Sequence, residues 1–262
     1  MDTSKLFSLE GRVALVTGGS RNLGKTIAEA YIAQGATVYI SSRKGADCEA
    51  TAQELGPNCH SLPQDVSTVE GAQALAQAFS EKEQKLDILV NNAGVAWGES
   101  FEQFPEKGWD KVMDLNLKSP FFLTQALYEL LKAGGVSGHP AKVINITSID
   151  GQRLNPWETY SYQASKAGLI QLTKRLAARL VSDNIVVTSL APGAFASDMN
   201  TAARDHAEVI GKGIPLGRIG NAEDLAGAAI FLASRAGDYV VGTTLTVDGG
   251  LVNAELGNSI GI

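Results

Sequence analysis

The feature that most constrains the fold is the alternation of short apolar runs with longer stretches of helical periodicity. Six runs rich in valine, isoleucine and threonine have the length of strands, at residues 12–17, 37–41, 88–91, 143–147, 185–190 and 244–247. Helical patterns lie between them, at residues 26–34, 69–84, 125–133, 165–181 and 223–234. Strands that are apolar on both faces are typical of a covered parallel sheet. The sequence therefore predicts an α/β fold, a Rossmann-type doubly wound parallel sheet flanked by helices on both faces.

The pattern shows no internal boundary. The 262 residues contain no repeat, low-complexity tract or linker, which predicts a single domain over residues 1–262. The longest stretch without a strand pattern covers residues 194–220, and a long loop in a compact domain is often functional. We predict that residues 194–220 form a lid over a substrate.

Charge and residue usage exclude several classes of partner. A net charge of −6 and a pI near 5.2 argue against nucleic acid and against an anionic membrane. No run approaches the roughly 18 apolar residues that span a bilayer, and no secretory signal pattern occurs, so a cytoplasmic protein is expected. Cys48 and Cys59 are expected to be free thiols rather than a disulfide, and the three scattered histidines predict no metal site.

A glycine-rich turn follows the first predicted strand and runs directly into a helical pattern. Glycines let the backbone approach a diphosphate closely, and the next helix offers free N–H groups at its N-terminus. A purely structural turn is the alternative, but the position at the first strand–helix junction favours a dinucleotide. The candidate cofactor residues in this turn are Gly18, Ser20, Arg21, Asn22, Leu23 and Gly24.

The end of the second predicted strand indicates which dinucleotide binds. A NAD site usually places an acidic residue there, which accepts hydrogen bonds from the ribose 2′-hydroxyl. Here Ser42 and Arg43 follow the strand, and Arg21 is available from the glycine-rich turn. Two guanidinium groups suit a 2′-phosphate, which each can bind through paired N–H donors. We therefore predict NADP(H) rather than NAD, the alternative being that Arg43 and Lys44 are solvated surface charges.

Tyr162 and Lys166 are the strongest catalytic candidates. They are four residues apart in a helical pattern, which places both side chains on one helix face. A tyrosine with its usual pKa of about 10 is a poor acid–base catalyst at neutral pH. Because a nearby ammonium stabilises the phenolate, we expect Lys166 to lower the pKa of Tyr162. The spacing alone is weak, since it occurs by chance in many helices.

Further motifs follow one another in the order and spacing of a known enzyme family. They are the turn at residues 17–24, Asp65-Val66, Asn91-Asn92-Ala93-Gly94, Asn116, Ser148, Tyr162 with Lys166, Pro192-Gly193 and Asp248-Gly249-Gly250. With these motifs, residues 9–250 resemble the short-chain dehydrogenase/reductase family. The resemblance implies a Rossmann-type NAD(P)-dependent enzyme that interconverts a carbonyl and a secondary alcohol.

The resemblance also implies a role for each catalytic residue. Tyr162 would donate a proton to the carbonyl oxygen, or accept it in the oxidative direction, and Ser148 would hydrogen-bond the same oxygen. Lys166 would lower the pKa of Tyr162 and hold the nicotinamide ribose. Asn116 would hold a water molecule that connects Lys166 to solvent. Taken one at a time, Ser148 as a strand cap and Asn116 as an ordinary helix-interior amide are the structural alternatives.

The remaining cofactor contacts come from the same resemblance. They are Asp65, Val66, Asn92, Ala93, Gly94, Pro192, Gly193 and Ser197. The first two would hold the adenine, the next three the adenosine ribose, and the last three the nicotinamide. Two positions depart from the family pattern. Ser197 stands where threonine is common, and Asn22 stands where glycine is usual. Asparagine tolerates a left-handed backbone, but its side chain would either add a donor near the phosphates or crowd them.

The substrate is predicted from the branch of the family that the chain resembles. Arg43, residues 89–98 and residues 144–151 resemble those of the 3-oxoacyl-thioester reductases, including the form associated with rhamnolipid synthesis. The resemblance therefore favours reduction of a 3-oxoacyl chain. Docking of an acidic acyl carrier protein needs a basic patch, and the helix that carries Lys174, Arg175 and Arg179 ends at Ser182-Asp183-Asn184, which argues against a carrier-bound substrate. Reduction of general ketones, sugars or steroid-like carbonyls is the alternative.

The sequence also allows other functions on the same fold, and it leaves the subunit and substrate contacts open. A catalytically silent dinucleotide-binding regulator and an extended-family isomerase or dehydratase share the fold. The family is commonly tetrameric, so we expect a homotetramer or homodimer, in which residues 251–262 reach a neighbouring subunit. The candidate substrate contacts are Trp97, Arg153, Leu154, Trp157, Phe195 and Met199, for which core or subunit packing is the alternative.

Overall fold

The structure is a computed structural model that describes residues 3–254. Within these residues, seven strands form one parallel sheet in the order β3-β2-β1-β4-β5-β6-β7. The strands are β1 Val13–Thr17, β2 Thr37–Ser41, β3 Cys59–Ser61, β4 Ile88–Asn91, β5 Ala141–Ile146, β6 Ile185–Pro192 and β7 Thr244–Val247. The predicted subunit contact of residues 251–262 falls mostly on residues 255–262, which lie outside the described residues.

Helices occupy the connections between the strands. They are α1 Asn22–Ala33, α2 Gly45–Leu55, α3 Val69–Ser80, α4 Glu106–Met113, α5 Ser119–Ala126, α6 Tyr128–Gly134, α7 Tyr160–Leu180, α8 Thr201–Asp205, α9 Ala207–Lys212 and α10 Ala222–Ala233. A π-helical turn, Asp114–Lys118, joins α4 to α5. The predicted lid, residues 194–220, contains α8 and α9.

Two apolar cores cover the two faces of the sheet, because successive strand residues point in opposite directions. In β1, Ala14 and Val16 belong to the core that includes α1, α2 and α10. Val13 and Leu15 belong to the core that includes α3, α5, α6 and α7. All five residues of β1 are buried. The predicted doubly wound parallel sheet with helices on both faces is therefore confirmed.

Strand β3 and the region of α5 and α6 show why the structure differs in places from the sequence-based expectation. Strand β3 was not predicted, because its three residues include His60 and Ser61 and form no apolar run. It exists because it pairs with β2, where Cys59 lies opposite Val38. The helical stretch predicted over residues 125–133 is helical in the structure except at Leu127, where it is interrupted. The chain there leaves α5 and enters α6 at Leu127, whose φ of −92° and ψ of 4° interrupt regular helix.

The parallel sheet brings the carboxyl ends of all its strands to one edge. From β1 the chain moves outward to β2 and β3, then returns to β4 on the other side of β1. Such a reversal opens a crevice at the carboxyl ends of β1 and β4, which is where dinucleotides bind in open α/β sheets. The loops after β1, β4, β5 and β6 carry most of the predicted site residues.

The described residues also bear on the expectations about membranes, metal ions and disulfides. No helix between residues 3 and 254 is both long enough and apolar enough to cross a membrane. The same span contains no group of three or more His, Cys, Asp or Glu side chains that could hold a metal ion. Cys48 and Cys59 are both free and buried.

Candidate active site

The glycine-rich turn is held in place by the loop that follows β4. The Thr17 hydroxyl accepts hydrogen bonds from the backbone N–H groups of Asn92 and Ala93, each at 3.0 Å. The Asn92 amide in turn donates to the carbonyl oxygens of Thr17 at 2.8 Å and Gly18 at 3.2 Å. Thr17 was not among the predicted site residues. Its signal in the sequence was a hydroxyl at the last position of the first strand.

The turn needs its glycines for steric reasons. Gly18 has φ of 64°, and a Cβ atom on Gly24 would lie 2.2 Å from the carbonyl oxygen of Gly18. Asn22 adopts the left-handed conformation expected of it, with φ of 48°. Its side chain neither adds a donor within the turn nor crowds it, because the amide donates to Asp198 in the predicted lid at 3.2 Å.

A cationic pocket lies beside this turn, as NADP(H) requires. The pocket, about 160 Å³ in volume, is lined by Arg21, Arg43, Ser67, Gly94, Val95, Lys111, Asp114 and Leu115. Both predicted guanidinium groups therefore meet at one site, which fits a 2′-phosphate. Lys111 was missed by sequence reasoning. Its ammonium lies 5.4 Å from the centroid of the Trp97 ring, so an aromatic ring supports its position.

The other residues predicted to hold the adenosine half lie near this pocket with contacts of their own. Asp65 is exposed and accepts a hydrogen bond from the backbone N–H of Ser67 at 3.0 Å. Val66 is only 4% exposed and packs within the core that includes α3. The Ser42 hydroxyl donates to the carbonyl oxygen of Lys44 at 3.3 Å, and the Ser20 carbonyl accepts from Thr51 at 2.9 Å. The contact of Val66 with adenine stays a prediction.

The hydroxyl of Ser148 is oriented by the backbone just after β5. Its Oγ accepts the backbone N–H of Asp150 at 3.1 Å, which starts a short 3₁₀ turn, Ile149–Gly151. Because this bond occupies an acceptor position, the hydroxyl hydrogen remains available to another group. The Ser148 hydroxyl lies close enough to the Tyr162 phenol to lower the pKa of that phenol. The two predicted hydroxyl groups therefore share one site.

Lys166 lies beside Tyr162, and a hydrogen bond to the last residue of β5 holds it in place. Its side chain is buried, and Nζ donates to the carbonyl oxygen of Ile146 at 2.7 Å. A Cβ atom on Gly94 would lie 3.7 Å from this Nζ and 3.3 Å from Oδ1 of Asn116. The loop after β4, the π-helical turn and α7 therefore converge on one point. Burial lowers the pKa of Lys166 from 10.5 to about 8.

The pKa of Tyr162 contradicts the expectation from sequence. Burial of the phenol raises its pKa from 10.0 to about 12, against a smaller lowering by the hydrogen bond from Ser148. The charge of Asp150 raises it further. Lys166 does not offset these effects, because its ammonium donates to the carbonyl oxygen of Ile146 and not to the phenol. Asp150 was missed by sequence reasoning, although it lies only two residues after Ser148.

Asn116 joins the loop after β4 to α7. Its amide donates to the carbonyl oxygen of Val95 at 2.9 Å and to the Ser165 hydroxyl at 3.1 Å, while its Oδ1 accepts the Val95 N–H at 2.9 Å. The residue lies in the π-helical turn, a feature that often marks functional sites. It is therefore not an ordinary helix-interior amide. Its predicted water-holding role stays a prediction.

The nicotinamide end of the predicted site lies at the carboxyl end of β6. Pro192 is the last residue of that strand, and the Gly193 N–H donates to the carbonyl oxygen of Val247 at 2.9 Å. A Cβ atom on Gly193 would lie 2.7 Å from the Cα atom of Asp248, so the close approach of the two chains requires glycine. The Ser197 hydroxyl accepts the Asn200 N–H at 3.0 Å. Its contact with a carboxamide stays a prediction.

The candidate substrate residues divide into buried and exposed groups. Phe195 is 6% exposed and packs against Gly220, so it belongs to the core. Leu154, Trp157 and Met199 are exposed at 83%, 65% and 48% of their surfaces. The first two lie in the loop between Ser148 and Tyr162, and Met199 lies at the start of the lid.

The other two candidates make contacts within the protein. Trp97 packs against α4, where a Cβ atom on Gly108 would lie 2.8 Å from its ring. The Arg153 guanidinium donates to the carbonyl oxygen of Leu251. Both residues therefore help to shape the surroundings of the site.

Comparison with known proteins assigns the family. Residues 18–252 match a protein-family model described as enoyl-(acyl carrier protein) reductase. The chain is 43% identical over 249 residues to the rhamnolipids biosynthesis 3-oxoacyl-(acyl-carrier-protein) reductase of Pseudomonas aeruginosa, a match that covers 93% of this chain and 97% of the relative. The chain belongs to the short-chain dehydrogenase/reductase family.

Solved structures of short-chain dehydrogenase/reductases have the same fold. The Pseudomonas aeruginosa RhlG/NADP active-site complex matches with a TM-score of 0.91 and 43% identity, covering 94% of this chain and 98% of that one. A gluconate 5-dehydrogenase from Burkholderia cenocepacia, in complex with NADP and tartrate, matches with a TM-score of 0.89 and 34% identity, covering 96% and 99%. As a short-chain dehydrogenase/reductase, the chain is an NAD(P)-dependent oxidoreductase. Family membership leaves the substrate open, because these relatives differ in theirs.

Proposed function

We propose that this protein reduces the 3-oxo group of an acyl thioester to a 3-hydroxyl group, with NADPH as the cofactor. The observation that carries the reaction type is the meeting of Ser148, Tyr162 and Lys166 at the carboxyl edge of the sheet, beside the pocket that Arg21 and Arg43 line. The substrate class rests on the 43% identity with the 3-oxoacyl reductase over nearly the whole of both chains.

Tyr162 acts as the proton donor in this proposal. When bound, NADPH supplies the hydride that the carbonyl carbon accepts. Tyr162 gives its phenolic proton to the carbonyl oxygen, so that a secondary alcohol forms. A pKa of about 12 keeps the phenol protonated at neutral pH, which suits reduction. Ser148 donates its free hydroxyl hydrogen to the same oxygen and stabilises the negative charge that develops there.

Lys166 and Asn116 restore the proton in this proposal. The Lys166 ammonium lies beside the phenol and, with a pKa of about 8, can release a proton near neutral pH. Asn116 holds the loop after β4 against α7, next to Lys166. A water molecule bound at this turn would connect Lys166 to solvent. Asp150 faces the same pair of residues and favours the charged form of Lys166.

The preference for NADPH rests on charge. Arg21 and Arg43 line one pocket, and Lys111 adds a third cation from α4. A 2′-phosphate can accept charge-assisted hydrogen bonds from these groups, whereas a 2′-hydroxyl cannot compensate for their desolvation equally well. Both solved relatives described above hold NADP.

The exposed apolar side chains support a substrate with a hydrocarbon part. Leu154 and Trp157 precede the catalytic tyrosine by eight and five residues, and Met199 lies near the start of the lid. Covering these surfaces with an acyl chain would gain about 25 cal/mol per Å² of buried apolar area. A sugar acid offers little apolar surface for that purpose. An acyl thioester therefore matches these exposed apolar side chains better than a sugar acid does.

The carrier of the acyl group is proposed to be a small thioester such as coenzyme A. An acidic carrier protein needs free basic groups near the mouth of the site. On α7, Arg179 is already paired with Asp183 at 2.6 Å, and the Tyr128 hydroxyl donates to the same carboxylate at 2.9 Å. Lys174 and Arg175 remain as exposed cations on this helix. The basic surface for a carrier protein is correspondingly reduced.

A sugar-acid dehydrogenase is the second candidate. It is favoured by the 34% identity to the gluconate 5-dehydrogenase that binds tartrate, a small hydroxylated dicarboxylate. The Asp150 carboxylate disfavours binding of an anionic substrate beside Ser148, because like charges repel in a partly buried site. An acid beside Ser148 would instead accept hydrogen bonds from a neutral, hydroxylated substrate.

The proposal is tested by following the loss of NADPH absorbance with a panel of carbonyl substrates. The panel contains acetoacetyl-CoA, acetoacetyl-carrier protein, simple ketones, oxidised gluconates and steroid ketones, each with NADPH and with NADH. Turnover of acetoacetyl-CoA with NADPH at the highest kcat/KM is the expected result. A higher kcat/KM for the sugar acid would reject the thioester assignment and keep the reaction type. Binding of NADPH without any turnover would favour the regulator alternative.

A further inference from the structure

Asp198 connects the predicted lid to the glycine-rich turn. Its Oδ2 accepts hydrogen bonds from Arg21 at 3.3 Å and from the Asn22 amide at 3.2 Å. Its Oδ1 accepts from Arg204, on α8 of the lid, at 3.3 Å. One carboxylate therefore bridges two segments that lie 176 residues apart in the chain. We refer to Arg21, Asn22, Asp198 and Arg204 as the clasp.

The topology places the clasp across the cofactor crevice. Asp198 lies six residues beyond Pro192, the end of β6, whereas Asn22 begins α1 after β1. Strands β4 and β5 separate β1 from β6, so the gap is three strand spacings, about 14 Å. Six extended residues reach about 20 Å, which is enough to cross it. The segment from Gly193 to Asp198 thus passes over the carboxyl ends of β4 and β5, where the dinucleotide is expected to lie.

The contacts are individually weak but share one acceptor. Arg21, Asp198 and Arg204 are 67%, 50% and 47% exposed, and exposed ion pairs contribute little when isolated. Here three donors converge on one carboxylate, so its position is set by both segments together. The Asn22 amide adds a hydrogen bond from an uncharged donor, and the strength of this bond depends less on salt than that of an ion pair.

We propose that Asp198 is a positioning residue that fastens residues 193–198 over the bound dinucleotide and slows its release. The proposal rests on the cofactor assignment of the proposed function. Asp198 also orients the guanidinium of Arg21, which lines the pocket assigned to the 2′-phosphate. Opening of the lid requires the clasp to break, and the dinucleotide leaves only after that.

Asn22 has a defined part in this arrangement. Glycine at this position would satisfy the left-handed backbone, with φ of 48°, at lower conformational cost. Asparagine is one of the few other residues that tolerate this conformation, and its side chain supplies the donor to Asp198. Asparagine at this position therefore has a higher conformational cost than glycine, and in return its side chain forms a hydrogen bond with the lid.

The test measures the dissociation rate of NADPH from the full chain by stopped-flow fluorescence. Excess NADP⁺ displaces the bound NADPH. The variants are Asn22→Gly, Asp198→Ala and the double variant. Asn22→Gly keeps the turn, because glycine suits its backbone. The matched control is Asp205→Ala, which removes an acid that bonds the same Arg204 at 2.8 Å and is not bonded to Arg21 or Asn22.

Each single clasp variant is expected to release NADPH about 3-fold to 10-fold faster. Asn22→Gly loses one of the two hydrogen bonds that join the lid to the turn, and Asp198→Ala loses both of them together with the one from Arg204. The double variant should be less than additive, because both changes remove the same contact. Asp205→Ala should release NADPH at the wild-type rate. Unchanged or slower release in Asn22→Gly and Asp198→Ala would overturn the proposal, and slower release in Asp198→Ala would show that its charge mainly repels the phosphates.

A second readout needs no bound cofactor. Amide hydrogen exchange of residues 194–212 should be faster in both clasp variants than in wild type, and equal in Asp205→Ala. Equal exchange in all proteins would also overturn the proposal. Failure of the wild-type protein to bind NADPH would instead reject the cofactor assignment, so the two failures are distinguishable.

Discussion

The Lys166 ammonium lies 5.6 Å from the centroid of the Tyr162 ring while it donates to the Ile146 carbonyl at 2.7 Å. The lysine is therefore held by β5 and not by the phenol. Lys166 is buried and Tyr162 is half-buried, and loss of water shifts each group toward its neutral form, with pKa values of about 12 for Tyr162 and about 8 for Lys166. The pair holds a proton on the phenol and a releasable proton on the amine, which is the arrangement that a carbonyl reductase needs.

Replacement of Tyr162 by phenylalanine should lower kcat by at least about 100-fold, because the proton donor is lost. Binding of NADPH, measured by fluorescence titration, should be retained. Tyr160→Phe is the matched control, since that hydroxyl donates to Glu158 at 2.7 Å and lies outside the site. Substantial turnover by the Tyr162 variant would show that another group supplies the proton.

The buried Lys166 should make stability depend on pH. Its pKa is 10.5 when unfolded and about 8 when folded, so between these values the unfolded chain binds more protons and the free energy of unfolding rises with pH. The full contribution is about 3 kcal/mol. The pKa of Tyr162 changes from 10.0 to about 12 on folding, so its effect begins only above pH 10.

Urea unfolding of wild type and Lys166→Met at pH 8 and pH 10 isolates this effect. Wild type should gain stability over the interval relative to the variant, which has no amine to titrate. Parallel stabilities of the two proteins across the interval would mean that the pKa of Lys166 is not lowered by the fold.

Arg43 should decide between the two dinucleotides. Arg43→Gln is expected to weaken NADPH binding about 10-fold to 100-fold, since charge-assisted hydrogen bonds to the 2′-phosphate are lost. Binding of NADH should change little. Lys44→Gln is the matched control, because Lys44 is 79% exposed and faces Asp47 at 3.8 Å. An equal loss for both dinucleotides would place Arg43 elsewhere on the cofactor.

The ion pair between Lys142 and Asp238 should matter for stability and not for catalysis. The Lys142 side chain is 1% exposed, and its ammonium lies 2.7 Å from the Asp238 carboxylate. Asp238→Ala leaves a buried charge unpaired and should cost about 3 kcal/mol. Lys142→Met fills the space with an apolar chain and leaves Asp238, at 27% exposure, in contact with water, so the loss should be about 1 kcal/mol.

Chemical unfolding of the two variants checks this order, with kcat as a separate readout that should not change in either. A larger loss for Lys142→Met than for Asp238→Ala would mean that the pair itself, and not the unpaired lysine, dominates the energy.

Local patterns were enough to predict most of the sheet. Strands β2, β4 and β7 begin and end at the predicted residues. For β2 and β4 the reason is that runs apolar on both faces occur where both faces are covered, whereas β7 is a half-buried edge strand. Strand β3 lacks such a run, and it forms because its backbone pairs with β2. The break at Leu127 had no glycine or proline to reveal it.

The sequence by itself determined the parallel α/β architecture, the glycine-rich turn and the placement of Tyr162 and Lys166 on one helix face. These follow from spacing along the chain, and spacing is a local property. Only the tertiary structure decided that Asn22 contacts Asp198, that Thr17 fastens the turn to Asn92, and that Tyr162 has a raised pKa. Such properties depend on burial and on groups that are distant in sequence, which become neighbours only when the whole sheet has formed.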